Sequence, residues 1–431
     1  MNKENIFSTK SDSGIRILGE RIPGSRSVSV CVWVKAGPVY ENENERGISH
    51  FIEHMLFKGT ESRSAKQIAA EIDNIGGSIN AFTAMEKTCF YTRSLDEDIE
   101  LAVDILLDMV CSPKLSDADI ENEKGVVCEE ILMSADDPAD VAHETLYSTI
   151  YKGYPLEYSI LGTQESVKKL DRDTIKAYMD RRYVPENIVI SCAGNFDPER
   201  VVKLVNEKYK PRENRVEAVP RERSVYEKGR RFKFVKKDVE QAHICLSFPS
   251  NSYGEDTSMT MSIIDNVFGG ASSSRLFQSI REEKGLAYSV YSAREAYEET
   301  GYWVLYAATA ENRAVEVVNC MLSELKRLRQ DGLTEQEFLR SKQQLRRSFI
   351  LTLEGVPVHA VTLGKDMLHI GRYRDSDEFL NALDKVTLED VNALIRKNVD
   401  ADYMCAVLVS GDKTEGVAKE IEALTKEASF C

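Results

Sequence analysis

Residues 47–60 read GISHFIEHMLFKGT. Inside this stretch His50-Phe-Ile-Glu53-His54 separates two imidazoles by four positions. On a helix, positions i and i+4 share a face, so both rings can reach one ion. Gly59 is suited to closing the helix, which is therefore expected from about Gly47 to Lys58. Glu53, one residue before the second histidine, is placed to act on water at that ion rather than to ligate it. Six histidines in 431 residues give only about 0.08 such pairs by chance, so the spacing is informative.

Working outward, Val28, Val30, Val32 and Val34 alternate with Ser29, Cys31 and Trp33, the period of a strand. Ser64-Ala-Lys-Gln67 is a capping box for a helix that ends at Gly76-Gly77. Ser78–Met85 and Lys87–Leu95 read as two strands. Helices are expected over Ile99–Val110, from the Ser116-Asp-Ala-Asp119 cap through Glu130, and over Asp171–Tyr183. Asn187–Ala193 reads as an apolar strand, and Asp197-Pro198 starts a further helix. Strands and helices mix without regular alternation, which predicts α+β layers.

A length of 431 residues allows two or three domains at roughly 150 residues each. The charged, proline-containing segment Lys210–Lys237 reads as a solvated linker, with a long surface loop as the alternative. Two domains are expected, residues 1–215 and 216–431. They repeat each other: Leu115-Ser-Asp-Ala-Asp-Ile120 is echoed by Leu333-Thr-Glu-Gln-Glu-Phe338. The strand Tyr403–Ser410 with Gly411-Asp412 echoes Ile188–Gly194. Under that repeat Glu123 and Glu130 correspond to Ser341 and Ser348. A looser pairing of Phe57 with Phe268 sets Met261 and Asp265 opposite the histidines, so the metal site is expected in the first domain alone.

The 56 basic residues are outnumbered by 71 acidic ones, a net charge of −15. That argues against a dedicated nucleic-acid binder and against docking on an anionic membrane. No apolar run approaches the roughly 18 residues of a membrane-spanning helix. The polar start MNKENIFSTKSDSG lacks the apolar centre of a secretory signal. Cys431 is not four residues from the end, as a prenylation box requires. Nine cysteines without a C-x-x-C spacing are expected as reduced, buried thiols in a cytoplasmic protein.

A catalytic zinc site uses three protein ligands and leaves a fourth position for water. The remaining histidines are scattered, so a carboxylate is the natural third ligand. The helix after Ser116 offers Glu123 and Glu130, seven residues apart on one face, with Glu121 and Glu129 as competitors. A solvated acidic surface is the plainer reading of the same residues.

GISHFIEHMLFKGT, GGSINAFTAMEKTCFY and ENEKGVVCEEI together resemble the inverzincin metallopeptidases of the pitrilysin and mitochondrial-processing-peptidase family. In the processing-peptidase-like branch of that family, which the chain resembles, the glutamate ligand falls about 75 residues after the second histidine, which selects Glu130. The resemblance makes Glu123 a supporting residue of the ligand cluster and of catalysis. It extends to Arg281-Glu-Glu-Lys-Gly-Leu-Ala-Tyr288, whose arginine and tyrosine it places on the bound peptide and the carbonyl under attack. It departs at Tyr154-Pro-Leu-Glu157, where relatives often carry His-Pro-Leu-Gly.

The resemblance implies two duplicated α+β domains, each a mostly antiparallel sheet packed with helices, in a clam-shell-like arrangement. It implies one Zn²⁺ held by His50, His54 and Glu130, with Glu53 as general base. It also implies a homodimer enclosing peptides or unfolded polypeptide segments as substrate. Asn80-Ala81-Phe82-Thr83 is expected on an edge strand to which an extended substrate can add; an ordinary core strand is the alternative. A non-catalytic, peptide-binding or assembly subunit of the same family is the rival reading, and a chance motif of core histidines a third.

Overall fold

Val28, Val30, Val32 and Val34 do share one face of a strand, and that strand lies at the heart of a sheet. The computed structural model of the chain describes residues 3–212, 222–411 and 415–430. The first sheet has six strands: β1 (Ile6–Lys10), β2 (Arg16–Arg21), β3 (Ser27–Val34), β4 (Ser78–Ala84), β5 (Lys87–Leu95) and β6 (Ile188–Gly194). Their order is β1-β2-β6-β3-β5-β4, antiparallel except where β2 runs parallel to β6. The second sheet has five: β7 (Arg231–Lys236), β8 (Gln241–Pro249), β9 (Ala287–Ala296), β10 (Gly301–Ala310) and β11 (Cys405–Ser410). Its order is β7-β11-β8-β10-β9, with β7 and β11 parallel. Without β1, the two orders and the position of the parallel pair coincide. The duplication read from the sequence is therefore a duplication of topology.

Helices supply the layers. The first are α1 (Ile48–Leu56), α2 (Ala65–Asn74), α3 (Ile99–Cys111), α4 (Asp117–Asp136) and α5 (Pro138–Ile150). The valines on one face of β3 belong to the same core as Ile48, Phe51, Ile52 and Met55 of α1 and Ile105 and Leu106 of α3, with α3 packed directly on the strand. The opposite face carries Cys31 and Trp33, covered by Ala360, Leu363 and Met367 from the helix Val356–Ile370. Gly364 is required at this contact, because a Cβ there would collide with Trp33 Nε1 and Ser191 Oγ. With both faces covered, β3 is buried almost throughout.

Two expectations are amended. The boundary expected between 215 and 216 lies outside the described residues, and the compact units interleave around it. One unit takes Met1–Leu132, Tyr158–Arg221 and Ile350–Phe379; the other takes Met133–Glu157, Glu222–Phe349 and Leu380–Cys431. The physical reason is that each sheet needs a second apolar cover. The helix Val356–Ile370 covers β2, β3 and β6, while α5 covers β8 and β11. The expected linker Lys210–Lys237 also supplies β7, because Phe232 and Phe234 alternate with lysines and add an edge strand beside β11. Residues 213–221 of that segment, Asp412 and Cys431 lie outside the described residues.

Candidate metal centre

α1 begins at an unusual turn. Gly47, its N-cap, has φ 87°, and a Cβ there would lie 2.6 Å from the Leu161 carbonyl oxygen. The first-turn amides are satisfied by a buried carboxylate: the N–H groups of Gly47 and Ser49 donate to Glu41 at 2.8 and 2.9 Å. Ser49 Oγ is hydrogen-bonded to Tyr178 OH at 2.7 Å. With Phe51, Ile52, Met55 and Leu56 in the core, the helix is fixed at its start and along its length. Its remaining face presents His50, Glu53 and His54.

α4 supplies the third group. Glu130 Oε1 lies 3.6 Å from His50 Nε2, and Glu130 Oε2 lies 3.4 Å from His54 Nε2. One donor atom from each of the three residues falls within 4.8 Å of the others. These nitrogen–oxygen separations are long for a hydrogen bond. They are near the separation of about 3.3 Å between two donors each 2.0–2.1 Å from one zinc ion, each histidine being measured to a different Glu130 oxygen. Two imidazoles and one carboxylate are also the donor chemistry of a catalytic zinc site, so the residues fit the ion. Glu121 and Glu129, left open as competitors, are exposed and belong to no such grouping among the described residues.

The surroundings prepare each group. Burial, with His54 close by, pushes His50 down to about 4, leaving it a neutral donor at physiological pH. At His54 burial acts downward but is outweighed by its hydrogen bond to Glu123 and by the charges of Glu130, Glu123 and Glu53, so its pKa is raised. Glu123 Oε1 sits 2.8 Å from His54 Nδ1, and its Oε2 sits 2.5 Å from Lys58 Nζ. Those contacts outweigh burial and hold Glu123 below the usual carboxylate range. Glu53 takes no part in the three-residue grouping. Its Oε2 accepts from Thr83 Oγ1 at 2.5 Å, and burial raises its pKa against that bond.

β4 is the terminal strand of its sheet, so among the described residues one edge of Asn80-Ala81-Phe82-Thr83 has no strand beside it. Thr83 faces Glu53; Phe82 packs edge-on against Trp33, its ring centroid 5.8 Å away, and is 36% exposed. Asn80 Oδ1 accepts from the Ala81 amide. In the other unit, Arg281 lies on the helical turn Phe277–Glu283 that precedes β9, and Tyr288 is the second residue of β9. Arg281 Nη1 donates to the Tyr288 carbonyl at 3.0 Å, and its guanidinium lies 4.5 Å from the Tyr288 ring centroid. The Tyr288 side chain is 81% exposed. Asp265, set opposite the histidines by the repeat, is partly buried and accepts from Ser292 Oγ and Trp303 Nε1.

Sequence reasoning missed Glu41, Lys58 and the bond from Thr83 to Glu53. Lys58 carried a readable signal, since it lies four residues beyond His54. Glu41 carried none, because capping by a residue outside the first turn depends on the loop that brings it back.

The sequence profile of the insulinase family, peptidase family M16, matches residues 16–164, and that of the "Peptidase M16 inactive domain" matches residues 169–345. A Bacillus subtilis protein named an uncharacterized zinc protease is 39% identical over 396 residues, covering 92% of this chain and 96% of that protein. A Mycobacterium leprae protein of the same description is 38% identical over 406 residues, covering 94% of this chain and 91% of its own length. The fold matches the crystal structure of a protease from Helicobacter pylori with a TM-score of 0.86 at 19% identity, over 94% of this chain and 99% of that one. It matches an M16 inactive-domain structure from Pseudomonas fluorescens with a TM-score of 0.87 at 18% identity, over 95% and 98%. With a helix that presents His50 and His54 to Glu130, and relatives of this identity along nearly its whole length, the chain belongs to peptidase family M16, the insulinase or pitrilysin family.

Proposed function

We propose that the chain is a zinc-dependent endopeptidase that hydrolyses peptides or unfolded polypeptide segments, with one Zn²⁺ per chain held by His50, His54 and Glu130. The observation that carries this reading is the approach of both histidine Nε2 atoms to the two oxygens of Glu130, at 3.4 and 3.6 Å. The names of the relatives, zinc proteases, support it.

Zinc in this site would supply Lewis acidity toward a carbonyl oxygen and lower the pKa of water. The protein's own residues do the rest. Glu53 takes a proton from the attacking water, which frees the water oxygen to bond to the scissile carbonyl carbon. It then delivers that proton to the departing amine nitrogen as the C–N bond breaks. The hydroxyl of Thr83 keeps one Glu53 oxygen occupied, which leaves the other for proton transfer. The free edge of β4 offers backbone groups to an extended peptide, which gives affinity without strict sequence demands. Arg281 and Tyr288 keep the substrate-contacting role that the family resemblance implies, and Glu123 the role of supporting the ligands.

The homodimer and the cytoplasmic location also stand as proposals. The first is read by light scattering of the purified chain. For the second, no helix among the described residues is long and apolar enough to cross a membrane. Peptide cleavage is tested by mass-spectrometric mapping of cuts in a protein offered both folded and unfolded. The reading expects cuts at many sites in the unfolded form only. Absence of cuts in either form contradicts it.

A further inference from the structure

Glu123 is shared between two nitrogens of opposite function. One oxygen meets the Nδ1 of a metal ligand, His54, at 2.8 Å, and the other meets the ammonium of Lys58 at 2.5 Å. The Glu123 side chain is 4% exposed, so its charge must be met by protein groups rather than water. Lys58 follows α1 closely, its backbone amide donating to the Met55 carbonyl at 3.1 Å, so the ammonium is tethered to the helix that carries the histidines.

The direction of these bonds matters. An ammonium has donors only, so it fixes Glu123 as the acceptor. Glu123 then accepts the Nδ1–H of His54, and the unprotonated nitrogen of that ring is Nε2, which stands 3.4 Å from Glu130. His50 has no equivalent support, since its Nδ1 is buried without a hydrogen-bond partner among the described residues. One of the two histidines is thus oriented through a carboxylate and a cation, the other by packing alone.

We propose that Lys58 is a positioning residue of the metal centre, acting through Glu123 to hold His54 in the tautomer and orientation that offers Nε2 to zinc. The proposal rests on the assignment of His50, His54 and Glu130 as the zinc ligands. Loss of the ammonium leaves a buried carboxylate free to turn away from His54, and the site loses part of its preorganisation. Outer partners of this kind are worth about 10–100-fold in metal affinity.

The test is competition for Zn²⁺ between a chromophoric chelator and the metal-free full-length chain. Lys58→Met is expected to weaken zinc binding about 10–100-fold, Lys58→Arg to restore most of it, and Glu123→Gln to lose a similar factor. In the Glu123→Gln background, Lys58→Met is expected to add little, since its route to His54 is already cut. If Lys58→Met does not fold, Lys58→Gln takes its place in the same titration. Wild-type affinity in the Lys58 variant, or losses that simply multiply in the double variant, would overturn the positioning role while leaving the zinc site standing. A wild-type chain that takes up no zinc would overturn both.

Discussion

The hydroxyl of Thr83, on the terminal strand of the first sheet, donates to Glu53 Oε2 at 2.5 Å. The strand proposed to bind substrate and the base proposed to activate water are thereby joined through a single bond. Thr83→Val keeps the shape and removes the donor. It is expected to lower kcat about 10–100-fold through misplacement of the carboxylate, with zinc content unchanged. Thr83→Ser should recover most of the rate. Steady-state kinetics on a quenched peptide, with metal analysis of each variant, check this.

Glu130 is expected to be indispensable for the metal and its neighbour Glu129 dispensable. Glu130→Gln should leave the purified chain with little zinc, while Glu129→Gln should bind zinc as wild type does. Because zinc binds the folded state, free zinc at about 1,000 times its Kd should add about 4 kcal/mol of stability to the wild type. The Glu130 variant should show almost none of that gain in thermal melts with and without chelator.

Glu41 predicts a pH dependence. Burial pushes its carboxyl up to about 7 from 4.5, against the hydrogen bonds from Ser49 and Gly47. Between those values the folded chain keeps a proton that the unfolded chain has released. Its contribution is therefore fully present below pH 4.5 and is lost as pH rises through 7, on the order of 3 kcal/mol. Glu41→Gln should remove this component. Urea midpoints at pH 5 and pH 8 should fall more steeply with pH for the wild type than for the variant.

Gly364 sits where the helix Val356–Ile370 meets Trp33 and Ser191. Gly364→Ala forces the helix off the sheet and is expected to cost about 1–3 kcal/mol of stability, read from the shift in denaturation midpoint. The zinc ligands are carried by other elements, so zinc uptake by the folded fraction should persist.

Much of this architecture was readable from local chemistry. The start of α1 follows from Gly47, the start of α2 from the Ser64–Gln67 box, and β5 from an uninterrupted β-forming run over Lys87–Leu95. By contrast, α1 stops at Leu56, short of the end expected at Gly59, which instead pairs with Ser64 in a β-bridge. The pairing of His50 with His54 needed only helical periodicity. Choosing Glu130 over Glu129 did not follow from periodicity: the two are adjacent on α4, and only packing decides which of them faces α1. Likewise nothing near Val356 indicates that its helix covers β3, because that contact joins residues more than 300 positions apart. The role of β7 was hidden by its lysines and arginine, which suit an edge strand as well as a linker.

The most direct test measures zinc content and peptide cleavage on the same samples of wild type and Glu53→Gln. The account predicts one zinc per chain in both, with turnover in the variant reduced by at least about 10²-fold. Full turnover by Glu53→Gln, or wild-type cleavage that survives removal of zinc, would contradict it.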